Sequence, residues 1–90
     1  MSEQARREEA TRVGLAYAPA DEEIADGLDT VSFRAYLRKA HSGPVRLGEE
    51  WTEFVNCGCG STRDVTLTVV SLTDGEAVGE STEISYEPAT

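Results

Sequence analysis

The feature that most constrains this chain is the run at residues 64–73, Asp-Val-Thr-Leu-Thr-Val-Val-Ser-Leu-Thr. Val65, Leu67 and Val69 fall on one side of an extended backbone, and Thr66, Thr68 and Val70 fall on the other. Alternation with period two, in residues that favour pleated backbone, predicts a half-buried strand. The glycine-rich connection Cys57-Gly58-Cys59-Gly60-Ser61-Thr62 precedes it. Upstream of that, residues 50–56 contain Trp51, Phe54 and Val55, which with Leu47 also match helical spacing. A hairpin accounts for both halves at once, so residues 50–56 are read as its first strand.

Other segments fit around this hairpin. Val13, Leu15 and Tyr17 alternate with Gly14, Ala16 and Ala18 in a short strand ending at Pro19. Asp21 caps a short helix with Glu22 and Glu23 in its first turn and Ile24 and Leu28 on one side, which Gly27 weakens. Residues 31–38 place Val31, Phe33, Ala35 and Leu37 opposite Ser32, Arg34, Tyr36 and Arg38, an alternation that predicts another half-buried strand. His41-Ser42-Gly43-Pro44 reads as a turn, with a hairpin edge at Val45 and Leu47 beyond it. Thr73-Asp74-Gly75-Glu76 is a second turn, and Glu83-Ile84-Ser85-Tyr86 a last short strand.

The expected fold is therefore mostly β, with α+β as the alternative. It is a small antiparallel sheet, as a meander, sandwich or open barrel, with at most one short helix. Residues 1–12 hold three Glu, three Arg and no large apolar side chain beyond Met1, which predicts a mobile N-terminal tail. Residues 13–90 make one small domain.

Seventeen carboxylates against eight basic groups give a formal charge of -9, a field that repels nucleic acid and anionic lipid. No apolar run is long enough to span a membrane, and the first residues do not read as a secretion signal. The expected setting is the cytoplasm, without nucleic acid or membrane as partner. Seven of the eight basic residues are Arg, only Lys39 is Lys, and isoleucine occurs only at Ile24 and Ile84. In composition the chain resembles small acidic cytoplasmic proteins of haloarchaea, of uncharacterised family. That resemblance implies a surface suited to concentrated salt and names no function. An acidic bacterial protein from an ordinary environment is the alternative.

The one motif that carries chemistry is Cys57-Gly58-Cys59-Gly60. Two thiolates one residue apart can ligate the same zinc ion, but a structural zinc site needs four ligands. His41, the single histidine, is the remaining candidate within the chain, with a carboxylate such as Asp64 or a second copy completing the set. A strained, easily reduced disulfide is the redox alternative, and a tight hairpin loop with tolerated cysteines is the plain one. His41 otherwise reads as an exposed turn residue, and no catalytic residue is nominated. Arg34, Tyr36 and Arg38 could meet an anion or a carboxylate-rich partner, though such faces are more often solvated. Glu49, Glu50 and Glu53 carry no weight in a chain this acidic. Trp51 and Phe54 read as core or interface anchors. The functional expectation is a non-enzymatic interaction or assembly module, acting on an unknown protein partner or as a homodimer. Zinc binding through the cysteine loop is the alternative, and thiol redox chemistry the second.

Overall fold

The computed structural model describes residues 9–56 and 62–89. Among these residues six strands and two helices run in the order β1 (Arg12–Ala18), α1 (Glu22–Leu28), α2 (Val31–Ala40), β2 (Gly43–Pro44), β3 (Glu50–Asn56), β4 (Thr62–Thr73), β5 (Ala77–Val78) and β6 (Glu83–Pro88). The main sheet has the order β3-β4-β1-β6. β3 and β4 form the expected antiparallel hairpin, with Trp51 opposite Leu67 and Glu53 opposite Val65. β4 also runs antiparallel to β1, with an irregularity between Gly14 and Leu15.

Strand alternation decides what is buried. Val13 and Leu15 from β1, Trp51 and Val55 from β3, Val65, Leu67 and Val69 from β4 and Ile84 from β6 join one core with Ile24, Leu28 and Leu37 of the helices. Both helices therefore cover the same face of the sheet, and among the described residues the other face has no helical layer. Gly27 permits the close seating of α1, because a Cβ there would lie 3.1 Å from both the Asn56 carbonyl and the Val55 side chain. The helix accepts a poor helix former in exchange for close approach to β3.

The largest departure from expectation is at residues 31–38, which form helix α2 and not a strand. Thr30 supplies the N-cap, its hydroxyl accepting a hydrogen bond from the Phe33 amide at 3.1 Å, and Arg38 and Lys39 sit in the last turn. Phe33 and Leu37, four apart, pack toward the core, whereas Val31 is 80% exposed. The alternation was coincidental, since two of its four apolar positions, Val31 and Ala35, face solvent. Arg34 and Arg38, also four apart, donate to the Ile84 and Thr82 carbonyls and so tie α2 to the β6 side of the sheet. They are not an open anion-binding face.

Four further differences follow. Two helices are present where at most one was expected. β1 and β6 are parallel, so the sheet is mixed, a single open layer backed by helices and not a closed barrel. Only Gly43 and Pro44, pairing with Ala77 and Val78, form the expected hairpin edge, while Val45 is buried and Leu47 exposed. The fold also begins before Val13. The Ala10 amide donates to the Ala77 carbonyl at 2.7 Å, and its own carbonyl accepts from the Thr82 hydroxyl at 2.8 Å. Among the described residues no helix is long and apolar enough to cross a membrane.

Candidate functional site

Glu53 is the one carboxylate in the buried row of β3, between Trp51 and Val55, and its residue exposure is only 8%. A buried carboxylate needs partners, and α2 supplies both. The Tyr36 hydroxyl donates to Glu53 Oε1 at 2.7 Å, and His41 Nε2 lies 2.6 Å from Glu53 Oε2. A carboxylate only accepts, so Nε2 carries the proton and Nδ1 is the ring nitrogen left over. The His41 ring stacks on Trp51 at 3.9 Å between centroids and 2° between planes. Trp51 Nε1 in turn donates to Glu49 Oε2 at 3.0 Å, and Glu49 Oε1 accepts the Arg46 amide.

These contacts pin the last two turns of α2 to the edge strand. The hydrogen bond to Glu53, followed by that carboxylate's negative charge and then desolvation, raises the Tyr36 phenol above its ordinary value of 10. A buried charge on an edge strand also discourages pairing with another strand.

Tyr36 belongs to a second feature as well. Its ring is 47% exposed and, with Phe33, forms one side of an open groove of about 560 Å³ lined also by Glu23, Asp26, Gly27 and Asn56. The two rings lie 5.6 Å apart at a tilt of 39°. Thr30 and Ser32 complete the rim at the start of α2. Glu23 shares Arg63 with Asp21, at 3.4 and 2.8 Å respectively. Asp26 makes no ion pair among the described residues. The groove thus sets an aromatic pair beside carboxylates, one of which is uncompensated.

Of the candidates read from the sequence, His41 is a turn residue at the C-cap of α2, as expected, but half-buried and not exposed. Cys57 and Cys59 lie outside the described residues, and among the described residues no group of three or more His, Cys, Asp or Glu is placed to hold a metal ion. Trp51 is a core anchor, but Phe54 points to the helix-free face and is 63% exposed. Glu53, dismissed as one acid among many, is the centre of the cluster. The overlooked signal was its position, two residues from both Trp51 and Val55 in a strand, where only a partnered carboxylate is tolerated. Phe33 and Tyr36 lie on the segment misread as a strand, while Asp26, in the correctly read α1, is one acid among many with no pattern to mark it.

No curated protein and no solved structure matches the chain. A family model does match residues 4–90, almost the whole sequence, so the chain belongs to the family of unknown function DUF7968.

Proposed function

We propose that the domain is a non-enzymatic interaction module whose working surface is the groove between α1, α2 and the end of β3, and whose partner is another protein. The observation that carries this reading is the placement of Tyr36, a half-exposed aromatic ring held at 2.7 Å by a carboxylate that is itself buried. Fixing a surface ring in advance lowers the ordering cost that a partner would otherwise meet on binding. Both Glu53 oxygens and His41 Nε2 are engaged with one another and with Tyr36, so the cluster serves as a support for the wall. The charge of -9 and the preference for Arg over Lys support a salt-rich cytoplasmic setting, as in the small acidic proteins of haloarchaea.

Photo-crosslinking tests the surface. A photoreactive residue is placed at Ser32 on the groove rim and, separately, at Thr68 on the helix-free face, in cells of the source organism at their native salt. The expected result is a discrete adduct from Ser32 that disappears when Phe33→Ala is added. Adducts from Thr68 alone, a Ser32 adduct indifferent to Phe33, or no adduct at Ser32 would overturn the reading. A Ser32 adduct with a second copy of this chain would replace the separate partner by a homodimer.

A further inference from the structure

The chemistry of the groove narrows what it can receive. Asp26 and Glu23 line one side, and among the described residues only Glu23 is compensated, by Arg63. An anionic group is therefore repelled. A neutral group can donate to Asp26 but leaves its charge uncompensated. On the other side stand Phe33 and Tyr36, whose ring faces are negative and attract a cation. The start of α2, at Thr30 and Ser32, contributes a partial positive charge, but the last turn of α1 at Asp26 and Gly27 contributes the opposite sign. What remains is the net charge of the carboxylates.

A cation that must meet both an aromatic surface and a carboxylate is best matched by a guanidinium. It is planar, weakly hydrated, and offers paired N–H donors to one carboxylate while its plane stacks on a ring. A compact ammonium holds its water more tightly and has no flat surface to stack. Resting on the reading above, we infer that the groove takes an arginine side chain of the partner protein, with its guanidinium between Asp26 and the Phe33–Tyr36 pair.

The test is a titration of the full chain by amide NMR with three blocked tripeptides, Ac-Ala-Arg-Ala-NH2 and its lysine and citrulline counterparts. Citrulline keeps the shape of arginine and removes the charge. The expected result is shift changes at Gly27, Phe33 and Tyr36, with the arginine peptide binding at least about tenfold more tightly than the citrulline one, a difference typical of a single charge-assisted pair. Asp26→Asn should lower arginine affinity by about the same factor while leaving the urea midpoint unchanged, because Asp26 is exposed and makes no ion pair among the described residues. Equal binding of arginine and citrulline, preference for lysine, or shifts confined to the helix-free face would overturn the inference. If the Ser32 crosslink survives while arginine and citrulline bind alike, the interaction reading stands and the arginine assignment falls. Loss of both removes both.

Discussion

The two faces of the main sheet are drawn from alternate residues of the same strands, and β3 shows how differently they are used. On the helix side it places Trp51, Glu53 and Val55, all buried, and on the other side Glu50, Thr52, Phe54 and Asn56, all exposed. Glu53 is thus inside and its neighbour Phe54 outside, the reverse of what their hydrophobicities ask. Trp51 and Val55 outweigh Phe54, because shifting the strand by one residue would expose both and leave Tyr36 and His41 without their acceptor. Among the described residues no helix packs over the other face, and small or hydroxylated residues such as Gly14, Ala16, Thr66 and Thr68 prevail there, Ala16 being buried. On β3 one face carries organised polar contacts and the other is exposed to solvent.

That contrast predicts unequal effects from equivalent substitutions. The largest difference is expected at β3. Glu53→Ala removes the shared acceptor of Tyr36 and His41 and should cost about 3 kcal/mol, whereas Thr52→Ala should stay within about 0.5 kcal/mol. Urea denaturation of both variants decides it, and equal losses would break the comparison. Next comes the pair that inverts hydrophobicity. Val55→Ala should cost about 2 kcal/mol, while Phe54→Ala, despite losing more atoms, should cost less than about 0.5 kcal/mol. A larger loss at Phe54 would mean that its face is covered in solution.

A third prediction concerns Tyr86, which faces the core from β6 and whose buried hydroxyl has no hydrogen-bond partner among the described residues. Removing an unpaired buried polar group should be favourable, so Tyr86→Phe is expected to stabilise by about 1 kcal/mol and raise Tm by several degrees. Burial pushes this phenol up to about 12, opposed by the nearby Arg34 charge. Between pH 10 and about 12 the unfolded chain has released a proton that the folded chain retains. Stability therefore falls as pH rises through that window. Tyr86→Phe should flatten this part of the profile, leaving the weaker trend from Tyr36, and an unchanged slope would refute the assignment. The smallest effect is expected at the exposed Arg12–Glu83 pair, 3.4 Å apart across β1 and β6, where Arg12→Ala should cost under about 0.5 kcal/mol.

Much of this architecture was legible in the residues. The β3–β4 hairpin, β1, α1 and β6 all follow from periodicity and turn chemistry. Helix α2 was not, because eight residues can satisfy both periods when half of the apolar positions are small or exposed. Thr30 as a cap and the two i, i+4 pairs Phe33/Leu37 and Arg34/Arg38 are the local evidence that the alternation obscured. With α2 misread, His41 could be singled out, but Tyr36 could not be joined to Glu53, seventeen residues away in the chain.

By itself the sequence determined the strand-rich class, the acidic surface and the set of side chains able to form a core, because these depend on composition and on neighbours a few residues apart. Only the tertiary structure decided that β1 runs parallel to β6, that one of the many carboxylates is buried, and that Tyr36 stands between that carboxylate and a groove. Those outcomes depend on which elements share a face of the sheet, and that choice is made by the joint packing of side chains distant in the chain.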